Sequence, residues 1–275
     1  MSDLKRLAIP LAIGASALTL GGLGIYALSR RNKYVLPYEP LPLPTMAPPP
    51  GSPPPTLVIP QQLGEGGITI DGVTYRVPVP VNTSLRFNIG DPGTTARHHA
   101  VNLGVIHWSG GEPSDGSGVY QTLEQRGLSC HFIIDRSGTI WQCADPATTV
   151  CAHAGSAYNG RSWGVEVVDF GILEEGESVP RAARGRDLYR AVVQGEEYEM
   201  ADFLPAQYTA LFALADLCAD RFNIPRVVRG APWERTSGIV EFAGHVGHMH
   251  ISPWKPDPGP RPLERMGARP GWRMS

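Results

Sequence analysis

The sequence has no basic stripe, no Cys-x-x-Cys spacing and no histidine before His98, and each absence removes a class of function. Only 18% of the 275 residues are charged and the formal net charge is −2, too close to neutral for a nucleic-acid partner. The four cysteines, Cys130, Cys143, Cys151 and Cys218, lack the spacing of a thiolate zinc site. Cys143 and Cys151 are close enough to pair across a loop if the domain is extracytoplasmic, and Cys218 reads as a buried thiol on an apolar helix face. With 42% hydrophobic residues, the chain is not disordered overall.

The N-terminal part has a different composition. Leu7 to Leu28 carries no charge, with Lys5 and Arg6 before it and Arg30, Arg31 and Lys33 after it. About 20 apolar residues span a bilayer, so residues 1–34 read as an uncleaved N-terminal transmembrane anchor. A cleaved signal peptide is the alternative, and small residues such as Gly14, Ala15 and Gly21 also fit a releasable signal-anchor. The charge on both flanks leaves the orientation ambiguous. Residues 35–60 are dominated by proline, including Pro48-Pro49-Pro50 and Pro53-Pro54-Pro55. Such a linker extends about 3.1 Å per residue and acts as a semi-rigid stalk.

Residues 61–275 read as one catalytic domain. Asp71-Gly72 between Ile68-Thr69-Ile70 and Val73-Thr74-Tyr75-Arg76-Val77 predicts a hairpin. Strands are expected near Val101–Ile106, His131–Ile134, Thr139–Gln142 and Gly164–Val168, with helices over Val119–Gln125 and Pro205–Arg221. In the second helix Tyr208, Leu211, Phe212, Ala215 and Cys218 recur at helical spacing, with Pro205 suited to its first turn. The expected fold is α/β, a central mixed β-sheet flanked by helices. The charged stretch Glu174–Glu199 reads as a solvated insertion at the rim of a cleft.

All eight histidines lie between His98 and His250. Three of them crowd into Gly244–Pro260, GHVGHMHISPWKPDPGP, which is too rich in Pro and Gly for a helix. Imidazole and carboxylate are usual zinc ligands, and the prolines flanking Asp257 stiffen its loop. Catalytic zinc takes three protein ligands and keeps a position open for water. The missing imidazole has a candidate in His107, at the end of the apolar run Val101, Leu103, Val105, Ile106.

From about Val105 to Pro260 the sequence resembles the zinc-dependent N-acetylmuramoyl-L-alanine amidases of type 2, related to peptidoglycan recognition proteins. Five blocks carry the likeness in order: Gly104–Ser109, Arg126–Gln142, Ala152-His153-Ala154-Gly155 with Asn159 nearby, Ser162–Val167, and the His248–Asp257 loop with its DPGP ending. The resemblance implies one zinc ion per chain held by His107, His248 and Asp257. It also implies that Glu166 handles the catalytic water and that Lys255 supports the oxyanion. His131, His153, Asn159 and His250 are weaker candidates for the substrate pocket; His131 and His153 suit buried backbone groups as well. His245 reads as a loop residue without a role. Where some phage members carry a catalytic tyrosine, this chain has Cys130, a thiol of different pKa and reach, which reads as a small buried strand residue.

The residues suit amide hydrolysis in their own right. The reaction needs an activated water, a polarised carbonyl and a proton for the leaving amine. A zinc site, a carboxylate on a buried strand and a lysine supply these. The expected substrate is peptidoglycan, cut between N-acetylmuramic acid and L-alanine, by a domain that faces the wall from the membrane. The alternative is a non-catalytic peptidoglycan-binding module on the same fold; such modules typically lose a zinc ligand, whereas all three are present here. A cytoplasmic role on recycled wall fragments fits the stalk less well.

Overall fold

A computed structural model describes residues 67–111, 115–173 and 186–275. The expected membrane segment and proline-rich linker lie outside the described residues. No helix among the described residues is long and apolar enough to cross a membrane.

The described chain begins with the expected hairpin, β1 (Ile68–Ile70) and β2 (Val73–Tyr75), in antiparallel register Ile68 to Tyr75. Asp71 and Gly72 take φ of 52° and 71°, the left-handed pair that a two-residue hairpin turn requires. Then come β3 (Val81–Asn82), β4 (Thr94–Ala96), β5 (Leu103–Trp108), α1 (Gly116–Gln125), β6 (Phe132–Ile134), β7 (Ile140–Gln142) and β8 (Thr149–Cys151). After the short α2 (Ser156–Asn159) follow β9 (Ser162–Val167), β10 (Ile172–Leu173), β11 (Leu188–Val193), β12 (Glu196–Ala201) and α3 (Pro205–Phe222). The chain ends with β13 (Val227–Val228), β14 (Gly244–Gly247), α4 (Pro260–Gly267) and β15 (Arg273–Met274).

Eight strands form the central sheet in the order β15-β13-β14-β5-β9-β6-β7-β3. Only the β6–β7 pair is antiparallel, so the sheet is mixed, as expected. The alternation of side chains across a strand divides its faces. Ile106, Phe132, Val165 and Val167 pack with Leu211, Leu214 and Ala215 of α3. On the other face, Leu103, Val105 and Val246 form one cluster, and Ile133 packs with Val119 and Leu123 of α1. Asp115 caps α1, its carboxylate accepting from the N–H groups of Ser117 and Gly118. Gln207 starts α3: its carbonyl accepts from Leu204 N–H at 3.0 Å while its amide donates to Val168 O at 2.8 Å.

Two expectations need correction, and the pairing of Cys143 with Cys151, left open by the sequence, is settled. The stretch read as a solvated insertion is, from Arg186 onward, structural. The Arg186 side chain is buried and pairs bidentately with buried Asp169, at 3.1 and 2.5 Å, and the chain then forms the β11–β12 hairpin around Gln194-Gly195. Residues 174–185 lie outside the described residues. Cys143 and Cys151 are free thiols rather than a disulfide. His245 belongs to strand β14, fully buried between the rings of Trp163 and Trp272.

Candidate active site

Parallel pairing of β5 with β9 sets His107 directly beside Glu166. Register partners in a sheet point to the same face, so the imidazole and the carboxylate rise from the same rung of adjacent strands. β14 pairs on the other side of β5, and His248 follows its last residue, Gly247. Asp257 returns on the loop that follows, where Met249 N–H donates to Asp257 O at 3.0 Å. Gly247 makes room for that return, since a Cβ there would sit 2.5 Å from Pro258 Cδ.

Three side-chain atoms converge. His107 Nδ1 lies 3.0 Å from His248 Nδ1 and 3.1 Å from Asp257 Oδ2, and His248 Nδ1 lies 3.3 Å from Asp257 Oδ2. They are the one His/Cys/Asp/Glu cluster among the described residues suited to holding a metal ion. Zinc–nitrogen bonds of about 2.0–2.1 Å give a tetrahedron with edges of roughly 3.3–3.4 Å, which these three atoms nearly match. The protonation of His107 and Asp257 also suits a cation. Burial lowers the pKa of His107 to about 4, against the opposing pull of Asp257, so its imidazole is neutral. Burial pushes the Asp257 carboxyl up, but its close contacts with His248 and His107 outweigh it and hold the group well below the ordinary carboxylate range.

Glu166 sits half-buried with its pKa raised to about 8, first by burial and then by the charge of Asp257; Lys255 and Arg126 oppose the shift. A carboxyl poised in this range suits a group that takes up and returns a proton near neutrality. Lys255 is the only lysine after Lys33. It sits on the His248–Asp257 loop, and its charge is felt at both Glu166 and His107.

His153 lies behind His107, its Nδ1 3.1 Å from His107 Nε2. The other three residues read as pocket-lining hold backbone instead. His131 is buried, with Nδ1 accepting from Gly164 N–H at 3.0 Å and Nε2 3.0 Å from Thr149 O. His250 is buried too, bound to Gly247 N–H and Gly230 O, each at 3.2 Å. The Asn159 side-chain oxygen accepts from the N–H groups of His153 and Ala154, at 3.2 and 2.7 Å. Cys130 is a buried thiol beside Cys143, its pKa raised well above the ordinary value by burial and by that neighbour, and so in its inert form.

One positioning residue carried no sequence signal. Gln194, at the tip of the β11–β12 hairpin, donates its amide to Met249 O and Ser252 O at 2.7 and 3.0 Å, with Lys255 O at 3.4 Å. Its carbonyl accepts from Arg235 N–H at 3.2 Å. The hairpin thereby clamps the loop that bears His248, Lys255 and Asp257. A lone Gln-Gly in a charged stretch gives no hint of that distant partner.

Comparison with curated proteins gives no match. Among solved structures, the chain is similar to the endolysin N-acetylmuramoyl-L-alanine amidase LysCS from Clostridium intestinale URNW, at 19% identity over 70% of this chain and 96% of that one, TM-score 0.44. It is also similar to the N-acetylmuramyl-L-alanine amidase AmiD from E. coli (24% identity, 61% of this chain and 57% of that one, TM-score 0.40). A third is the Drosophila peptidoglycan recognition protein SA (14% identity, 66% and 86%, TM-score 0.38). The profile of the family described as N-acetylmuramoyl-L-alanine amidase matches residues 97–260. That span is more than half of the chain and takes in His107, Glu166, His248, Lys255 and Asp257. The protein belongs to the N-acetylmuramoyl-L-alanine amidase family.

Proposed function

We propose that the protein is a zinc-dependent N-acetylmuramoyl-L-alanine amidase that hydrolyses the amide between the lactyl group of N-acetylmuramic acid and L-alanine in peptidoglycan. The observation that carries this reading is the convergence of His107 Nδ1, His248 Nδ1 and Asp257 Oδ2 within 3.3 Å of one another, on the same sheet face as Glu166.

His107, His248 and Asp257 would hold the zinc ion, with one ion per chain. Bound there, zinc supplies Lewis acidity and lowers the pKa of a water molecule toward about 7. The remaining work falls to side chains. Glu166 takes a proton from the attacking water as the C–O bond forms. It returns that proton to the alanine nitrogen as the C–N bond breaks, leaving a lactyl carboxylic acid and a free amine. Lys255 places its ammonium where negative charge develops on the carbonyl oxygen, so its attraction is strongest in the transition state. The Gln194 clamp keeps the lysine's loop in place, which avoids reorganisation during the reaction.

The N-terminal segment, residues 1–34, would anchor the enzyme to the membrane, with residues 35–60 carrying the catalytic domain toward the wall. Protease accessibility of residues 61–275 in intact spheroplasts tests this topology; complete protection would reject it.

The decisive experiment incubates the purified protein with peptidoglycan and assays new L-alanine amino termini and bound zinc. Amine release with about one zinc per chain supports the amidase. Retention of muramyl peptide with no new amines would make the protein a binding module instead.

A further inference from the structure

We infer that His153, backed by Ser162, is a positioning residue that fixes which nitrogen of His107 faces the metal. The inference rests on reading His107 as a metal ligand.

His107 aims Nδ1 at His248 and Asp257, and its other nitrogen, Nε2, meets His153 Nδ1 at 3.1 Å. The two rings stand edge to face, 87° apart with centroids separated by 5.3 Å. His153 Nε2 lies 3.1 Å from Ser162 Oγ. A neutral imidazole has one donor and one acceptor nitrogen, so a chain of this kind runs in one of two directions. In the first, His107 Nε2–H donates to His153 Nδ1, and His153 Nε2–H donates to the serine oxygen. That leaves a lone pair on His107 Nδ1, as a metal ligand needs. In the second, His153 Nδ1–H donates to His107 Nε2. His107 then carries its proton on Nδ1, pointed at His248 and Asp257, where a cation cannot share it. The serine hydroxyl can rotate to accept, so it satisfies His153 Nε2–H in the first direction, the one that leaves His107 Nδ1 free for a cation.

The surroundings are built for this ring. Gly164 on β9 lies beneath it, and a Cβ there would sit 2.5 Å from His153 Cε1, so a bare backbone is needed. The Asn159 side chain holds the His153 and Ala154 N–H groups, which fixes the loop that delivers the ring. His131, the other imidazole packed against His153 at a centroid distance of 5.7 Å, accepts from Gly164 N–H through Nδ1. Its remaining proton is therefore on Nε2, toward Thr149 O, and does not compete for His153. An outer partner of a metal-bound histidine typically contributes 10- to 100-fold in metal affinity.

The test measures zinc affinity of the full-length protein by chelator competition, and the absorption spectrum with cobalt in place of zinc. His153→Phe is expected to weaken zinc binding about 10- to 100-fold and to alter the cobalt spectrum. His153→Asn, whose carbonyl oxygen can take the place of Nδ1 as acceptor, is expected to recover most of that loss, and Ser162→Ala to lose a few-fold. A folded His153→Phe protein with wild-type zinc affinity and an unchanged spectrum would overturn the inference. If that variant does not fold, nitrogen-15 NMR of the zinc-loaded wild type decides. A His107 protonated on Nε2 and metal-bound through Nδ1, with His153 protonated on Nε2, supports the inference; coordination through Nε2 overturns it. Failure of the wild type to bind zinc would instead overturn the metal reading on which it rests.

Discussion

His107 and Glu166 are register partners on neighbouring parallel strands, so one β-rung sets the distance between a metal-ligand candidate and the carboxylate proposed to move the proton. Sheet pairing, rather than loop conformation, fixes this relationship. Removing the carboxylate should therefore leave the ligand trio intact. Glu166→Ala is expected to retain zinc and to lose about 10²- to 10⁴-fold in kcat, the usual contribution of general acid–base catalysis. Amine release and metal content measured on the same sample check both halves. Loss of zinc together with activity would mean that Glu166 supports the metal rather than the water.

The raised pKa of Glu166 has a consequence for stability. Its carboxyl titrates near 8 in the folded, metal-free protein against an ordinary 4.5, chiefly because it is buried. A carboxyl raised in this way favours folding below the unfolded value, and that contribution is lost as pH rises through the folded one. Glu166→Gln removes the titration. In metal-free samples the Tm of Glu166→Gln relative to wild type should climb between pH 4.5 and 8 and level off above. Zinc, by favouring the ionised carboxylate, should shrink the difference at pH 8. A Tm difference independent of pH would refute this account.

Lys255 is the sole lysine beyond Lys33, so an amine-directed reagent has one side-chain target in residues 61–275. Labelling at Lys255, located by peptide mapping, should lower the proposed amidase activity in proportion to modification. Lys255→Met should lower kcat about 10²- to 10³-fold with KM little changed, as expected for a charge that acts on the developing oxyanion. An equal loss in KM alone would assign the lysine to substrate binding.

Much of this site was legible in the sequence because strand patterns and local motifs carry it. The apolar run ending at His107, the valines around Glu166 and the Pro-flanked Asp257 each announce their own element, and the structure brings the trio together. Roles that depend on distant partners were not legible. His131 and His250 look like pocket residues in a motif, yet each spends both ring nitrogens on backbone groups. His245 reads as a loop residue, but it lies on strand β14, where β-alternation turns it to the face opposite Val246 and into the Trp163–Trp272 contact. The charged stretch after Glu174 conceals a hairpin because its exposed positions mix Leu188 and Val192 with Arg190, Glu196 and Glu197 and so show no clean alternation, while Tyr189, Val193 and Met200 turn inward to the core.

Gln194 gives the sharpest test of that hidden hairpin. It stands at φ 56° in the hairpin turn, and its one side chain satisfies carbonyls of Met249 and Ser252 and the N–H of Arg235. No side chain other than Gln or Asn offers both a donor pair and an acceptor, and Asn is a methylene too short to reach. Gln194→Ala leaves partly buried backbone groups unpaired, which costs about 1–3 kcal/mol. Because the loop it holds carries His248, Lys255 and Asp257, the loss should appear in the site as well as in the fold. Zinc affinity and kcat are expected to fall together, while an exposed hairpin change such as Val192→Thr alters neither. Hydrogen exchange should locate the change: faster exchange at Ile251 and Ser252, whose N–H groups bond to His248 O, with the β5–β9 ladder unaffected. Unchanged exchange in the loop, despite a lowered Tm, would show that the hairpin stabilises the fold without positioning the site.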